Sequence, residues 1–162
     1  MSATTEGVPA RMAAVAVLLV SAATIGGALA SQHVFGLVPC KLCLWQRWPY
    51  YAGVPLALLT ALAPPSLRRA GLWALALLFL ASAGLGAFHA GVEWGFWPGP
   101  ADCSGGSAPS GSVEDLLKSL DTARIVSCSE AAWRFLGLSL AGWNAVTSLI
   151  LAGIAAAGAG RR

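Results

Sequence analysis

Four long stretches, residues 12–30, 48–67, 70–92 and 135–160, contain no Asp, Glu, Lys or Arg. A bilayer core asks a spanning helix for roughly 17–25 predominantly apolar residues, and each stretch meets that demand. They predict membrane helices over about 12–30, 48–66, 71–92 and 138–158, joined by polar loops at 31–47 and 93–137 and a tight Pro-Pro turn at 64–69. An even number of crossings puts both termini on one side. The expected fold is an all-α membrane protein, a four-helix bundle making one integral membrane domain over 1–162. Trp48, Tyr50 and Tyr51 open the second stretch, and Phe88, Trp94, Phe96 and Trp97 close the third, where amphipathic rings settle at headgroup level. Pro49 falls in a first turn whose amides are unpaired anyway. Pro55 should kink its helix, and Pro98-Gly99-Pro100 should stop the next one.

The long loop carries a Ser/Gly/Pro tract at 104–112 that has no means of building a core. After it, Val113, Leu116, Leu117 and Leu120 recur at i, i+3, i+4 and i+7 and share one helical face. Ser112 can cap that helix, with Glu114 and Asp115 favourably placed in its first turn. The pattern predicts a short amphipathic helix lying in the headgroup layer; the alternative is a surface helix that merely covers the loop. At the other end, Arg11, an apolar run and Ala28-Leu29-Ala30 outline a cleavable signal peptide. The run exceeds the usual h-region of roughly 7–15 residues, so a retained first helix is expected.

Composition agrees with the pattern. Of 162 residues, 57% are hydrophobic and 10% charged, against about 25% charged in soluble chains. No basic or acidic block suits nucleic acid, and none is expected as a partner. The net charge of +3 reflects where the arginines lie. Arg11, Arg68, Arg69, Arg161 and Arg162 sit in compact clusters at helix ends on the side of the termini. The opposite side holds Lys41, Arg47, Lys118, Arg124 and Arg134, so the plain count of basic residues is balanced. Lys118 and Arg124 lie in a long loop, where such charges carry little weight. Both termini are therefore expected in the cytoplasm, with the chain threaded through membrane lipid.

All four cysteines then fall on the outer, oxidising side, where disulfides form and persist. Cys40 and Cys43 form a Cys-x-x-Cys pair at the mouth of the second span. Cys103 and Cys128 both lie in the long loop. A Cys-x-x-Cys pair exchanges two electrons by making and breaking a reversible disulfide, and at the membrane boundary it can reach a lipid-soluble oxidant. Arg47 lies one helical turn beyond Cys43. Its charge and a helix N-terminus both favour a thiolate at Cys43; alternatively it snorkels to the interface beside a structural disulfide. A metal centre is not expected, because one Cys-x-x-Cys stands alone and His33 and His89 stand apart from the loop cysteines. Leu44 after Cys43 excludes a c-type haem attachment.

Over essentially its full length the chain resembles the DsbB family of bacterial disulfide-forming membrane proteins. The resemblance rests on Cys40-Lys41-Leu42-Cys43 followed by Gln46-Arg47, on Trp97-Pro98-Gly99-Pro100 before Cys103, and on the run from Cys128 to Leu138 entering the last span. It implies a quinone-dependent thiol oxidase that reoxidises a periplasmic DsbA-like dithiol oxidase of thioredoxin fold. By the family pattern, Cys103 takes the attack of the partner's thiolate and Cys128 exchanges with Cys40. Cys43 is then released to reduce a quinone from the membrane pool, ubiquinone or menaquinone, with Arg47 beside it. His89 and Glu93, at the outer end of the third span, are candidates to face that quinone. Vitamin K epoxide reductase relatives also set a Cys-x-x-Cys against a quinone, but there the motif follows the loop cysteines, whereas here it precedes them. A non-catalytic scaffold with two inert disulfides is the alternative from another class; quinone-dependent loss of thiol from a dithiol protein separates the two.

The glycines of the loop tract suggest that Cys103 works by moving between its partner and Cys128. Replacing residues 104–111 with a rigid segment is expected to slow oxidation of a protein dithiol more than reduction of quinone. Stopped-flow measurement of the two half-reactions checks this, and equal slowing of both would reduce the tract to a spacer.

Overall fold

The computed structural model describes residues 7–100 and 127–160. Cys103, the tract at 104–112 and the amphipathic segment at 113–120 lie outside the described residues. The described elements are α1 (Gly7–His33), a short α2 (Lys41–Trp45), α3 (Trp48–Leu62), α4 (Pro65–Glu93), a hairpin of β1 (Arg134–Phe135) and β2 (Leu138–Ser139), and α5 (Leu140–Gly160). Three helices, over Ala10–His33, Pro65–Glu93 and Leu140–Gly160, are long and apolar enough to cross a membrane. α3 has 15 residues, a rise of about 22 Å, and is shorter than the stretch the charge pattern marked.

The end of α3 follows from its prolines. Ala63 and Pro64 are both extended (ψ 152° and 157°), because a residue before proline is pushed out of the helical region. Pro65 then opens α4, where its missing N–H costs nothing. Arg68 and Arg69, expected within the turn, therefore occupy the first turns of α4. The Arg68 guanidinium folds back and donates to the Ala63 carbonyl at 2.6 Å, tying the connection together. α3 remains helical across Pro55.

α4 ends before the Pro98-Gly99-Pro100 stop, by a local device. Gly95 takes φ +74°, the Phe96 N–H donates to the Gly91 carbonyl (2.9 Å) and the Gly95 N–H to the Val92 carbonyl (3.1 Å). These are the paired bonds of a Schellman cap. The turn folds Trp97 back so that it stacks on Phe88 with ring centroids 5.9 Å apart and donates to the Phe88 carbonyl at 2.9 Å. The indole lies directly on Gly91, where any Cβ would collide with it. At the entry to the last helix, residues 135–139 are not yet helical. Leu136 and Gly137 both have positive φ (51° and 82°), the signature of a type I′ hairpin turn. Ser139 then caps α5, its Oγ accepting from the Gly142 N–H at 3.1 Å.

The four long helices form a ring in which α1 packs on α3, α3 on α4, α4 on α5 and α5 back on α1. Ala14, Val17, Ala57, Leu72, Leu75, Phe79, Leu151 and Ala155 are fully buried at its centre. Large apolar side chains instead line the outside: Leu19, Leu59, Leu62, Leu77 and Leu149 are more than half exposed. That inversion suits a hydrocarbon surround. Lipid supplies no hydrophobic drive between helices, so close contact between small residues takes over. α4 and α5 share the largest interface, and there a Cβ on Gly86 would lie 2.8 Å from the Ala145 nitrogen and 3.1 Å from the Ala141 carbonyl oxygen. Because those neighbours are backbone, Gly86→Ala has to push the helices apart. A loss of about 1–3 kcal/mol is expected, read as a lower unfolding midpoint in detergent; an unchanged midpoint would mean the interface is loose.

Candidate redox site

Both thiols of the Cys-x-x-Cys pair are set by α2. Cys40 is its N-cap residue, in extended conformation (φ −71°, ψ 172°), and its sulfur accepts from the Cys43 N–H at 3.2 Å. One helical turn brings Cys43 back over it, so the two Sγ atoms are 2.7 Å apart. Cys40 and Cys43 are free thiols. Cys128 is held in a disulfide, is 1% exposed, and packs in one buried cluster with Cys40, Leu42 and Val92, against which Cys43 also rests. The chain thus brings a loop cysteine against the Cys-x-x-Cys pair. Cys103 lies outside the described residues.

His89 projects from the outer end of α4 into this cluster and is 2% exposed. Its Nε2 is 3.6 Å from Cys40 Sγ and 3.8 Å from Glu93 Oε1, one turn further along α4. Its Nδ1 is hydrogen-bonded to the Gln46 side-chain amide. With Gln46 donating through Nε2, Nδ1 is the acceptor and the imidazole proton sits on Nε2, facing the sulfur and the carboxylate. Glu93 Oε2 is buried and has no hydrogen-bond partner among the described residues.

The paired thiols do not titrate alike. Cys40 is lowered from its ordinary 9.0 to about 5: the Cys43 thiol donates to it, burial opposes, and His89 adds a further hydrogen bond. Cys43 is pushed up, first because its proton is committed to Cys40, then by burial and the neighbouring negative sulfur. In the dithiol these contacts favour the charge on Cys40. The physical reason is that Cys40 caps the helix and so collects the donors. Cys40, Cys43 and His89 present donor atoms within 4.8 Å of one another. Two thiolates on a tetrahedral zinc at about 2.3 Å each would stand roughly 3.8 Å apart. The 2.7 Å between these sulfurs is too short for that geometry.

Arg47 turns away from the sulfurs. Its guanidinium is bonded to the Gln32 side-chain oxygen and, at 3.2 Å, to the Ala28 carbonyl, both on α1. It is nine-tenths buried and clamps the start of α3 to α1. Between these elements lies a cavity of about 330 Å³, walled largely by apolar groups, with Cys43, Gln46, Arg47, Tyr50, His89 and Asn144 among its lining residues. Cys43 thus borders the cavity, while Cys40 sits behind it beside Cys128. Sequence reasoning left Gln46 without a role of its own and missed Gln32, Tyr50 and Asn144. Polar side chains inside apolar helices were the signal that could have found the last two.

Comparison with known proteins gives a consistent family. Residues 10–158 match the family model described as Disulfide bond formation protein DsbB. The chain is 36% identical over 138 residues to Disulfide bond formation protein B of Marinobacter nauticus, covering 80% of each chain. It is 39% identical to the protein of that name from Verminephrobacter eiseniae, covering 78% of this chain and 75% of the relative. For that of Aromatoleum aromaticum the identity is 32%, over 82% of each. No solved structure matches the chain.

The site predicts an ordered titration. In the reduced protein, ultraviolet absorbance of thiolate should grow in with a half-point near pH 5, owed to Cys40, and Cys40→Ser should abolish that step. Because the folded protein holds this pKa below the ordinary one, the thiolate persists down to that pH and is lost only beneath it. Removing the His89 hydrogen bond in His89→Ala should move the half-point upward. A half-point that stays in place would remove His89 from the support of Cys40.

Proposed function

Since the chain belongs to the DsbB family of disulfide-bond-forming membrane proteins, we propose that it is a quinone-dependent thiol oxidase serving a periplasmic DsbA-like dithiol oxidase. One observation carries this reading: the Cys-x-x-Cys pair faces two ways. Cys40 packs in a buried cluster with disulfide-bonded Cys128, and Cys43 borders an apolar cavity at the helix ends. Electrons entering from the loop side can leave on the cavity side with no change of site.

The cavity suits a quinone head group, ubiquinone or menaquinone, because a flat apolar ring with acceptor oxygens asks for apolar walls and a few donors. Arg47, His89 and Gln46 are the residues at hand to hold it. When bound, the quinone supplies the oxidising power, taking two electrons and two protons to become the quinol while two thiols become a disulfide. The rest is thiol exchange. The partner's thiolate attacks Cys103, and Cys128 leaves as a thiolate. Cys128 attacks Cys40 of an oxidised Cys40–Cys43 pair and Cys43 leaves. Cys43 thus leaves as a thiolate beside the cavity, and Cys40, bound to Cys128, carries no negative charge to oppose it. The partner's second thiol then attacks its mixed disulfide and frees Cys103, whose thiolate attacks Cys128, restores the loop disulfide and releases Cys40. Oxidation of Cys40 and Cys43 re-forms their disulfide. Arg47 holds α1 and α3 together at the cavity wall and contributes positive charge there.

The same reading places the chain in a bacterial cytoplasmic membrane with both termini inside, the redox cysteines outside and four crossings. The second crossing is α3, with α2 and its thiol pair leading into it at the outer face: Gln46 and Arg47 between the two helices keep helical dihedrals (φ −66°, ψ −15° and φ −80°, ψ −27°).

A double variant, Cys103→Ser with Cys128→Ser, tests the relay. It should lose oxidation of the protein partner yet still reduce quinone when given a small dithiol that reaches Cys40 and Cys43 directly. Cys43→Ser should do neither. If the double variant is as inactive with small dithiols as Cys43→Ser, the order of the relay is wrong.

A further inference from the structure

The apolar interior contains a run of polar groups that the thiol chemistry does not use. Ser82 of α4 and Ser148 of α5, both fully buried, have their hydroxyl oxygens 2.9 Å apart. Ser148 Oγ lies 3.0 Å from the Tyr50 hydroxyl, and Tyr50 donates to Asn144 Oδ1 at 2.7 Å. The run ends at the cavity, which both Tyr50 and Asn144 line. There the amide accepts the Tyr50 hydroxyl through its oxygen, and its Nδ2, with two N–H donors, is buried with no hydrogen-bond partner among the described residues. A buried donor left unpaired is costly, and in a membrane helix nothing outside the protein can satisfy it. The cost is relieved by an acceptor entering the cavity.

We propose that Asn144 is a quinone-binding residue, its side-chain N–H donating to a quinone oxygen while Tyr50 holds the amide in place. This rests on the reading of the cavity as a quinone site and adds to it a second anchor. Gln46 and Arg47 come from the junction of α2 and α3 and His89 from α4, around Cys43, whereas Asn144 comes from α5. A quinone has two carbonyl oxygens across its ring, and donors on separate helices fix the ring's rotation in its plane as well as its position. Asn144 is thus a determinant of quinone affinity and orientation rather than of thiol exchange. The match is one of kind: a quinone brings acceptors only, and Nδ2 brings donors only. Cavity water is the competitor for those donors, and it makes no demand on ring geometry.

The test uses the full-length protein in detergent with a short-chain ubiquinone analogue. Asn144→Leu removes the donor and keeps an apolar side chain of similar size. It should raise KM for the quinone about tenfold, equivalent to about 1.4 kcal/mol, and leave KM for the protein dithiol unchanged. Quinone should raise the unfolding temperature of the wild type distinctly and of Asn144→Leu much less, each measured against its own quinone-free value. Tyr50→Phe, which frees the amide, should fall between. Infrared difference spectra with carbonyl-labelled quinone give a readout that needs no variant. In the wild type both carbonyl bands should lie below those of free quinone, and in Asn144→Leu one should return. If one carbonyl of the wild type already vibrates as in free quinone, or if Asn144→Leu binds quinone unchanged, the role of Asn144 is overturned and Nδ2 serves only water. If the wild type neither binds nor reduces quinone, the underlying reading of the cavity fails, a result distinct from the loss of Asn144 alone.

Discussion

Polar side chains inside this bundle have to find partners within the protein, because lipid offers none, and that demand locks the helices in register around the site. Arg47 reaches from the start of α3 to Gln32 and Ala28 on α1. Gln46 reaches His89 on α4. Tyr50 reaches Asn144 and Ser148 on α5. These three residues lie within a single short stretch of chain, and each points to a different neighbouring helix. The stretch that carries the two thiols is therefore the hub of the ring, and a shift of any one helix would break a buried bond.

The same economy explains the electrostatics of the cysteines. A negative sulfur near lipid is expensive, so it appears where donors already converge. Cys40 collects the Cys43 N–H, the Cys43 thiol and the His89 ring. Cys43, giving up its proton to that arrangement, is held back until Cys40 is engaged elsewhere. The chemistry proposed for the pair thus has a built-in order: the sulfur on the cavity becomes reactive as a result of exchange on the loop side.

Small residues do the complementary work in the apolar part. Gly86 lets α5 lie on α4 at backbone distance, and Gly158 lets Ala13 of α1 approach α5. Bulky Leu side chains face outward instead. Gly91 has a different use, admitting the Trp97 indole so that the chain leaving α4 folds back over its own end and leaves the region near His89 and Val92 compact.

The sequence by itself determined the apolar segments, the Cys-x-x-Cys pair ahead of the second of them, and the family. Charge-free length, Cys-x-x-Cys spacing and the motif around Gln46-Arg47 are local properties that survive without a fold. The Pro64-Pro65 turn was legible for the same reason, since proline restricts its neighbours whatever surrounds them. Tertiary structure decided what is contributed by partners far apart in the chain. His89, which only the packing of α4 brings to Cys40, adds to the support that the neighbouring Cys43 already gives that sulfur. Arg47 was read as a companion of Cys43 from their spacing; it borders the same cavity, and packing adds two partly buried acceptors on α1 for its guanidinium. Tyr50 was read with Trp48 and Tyr51 as a ring at headgroup level and Asn144 was not read at all, but Tyr50 is buried and bonded to Asn144. They meet because α3 and α5 face each other across the bundle interior, and no periodicity along one helix encodes which face of another it will meet.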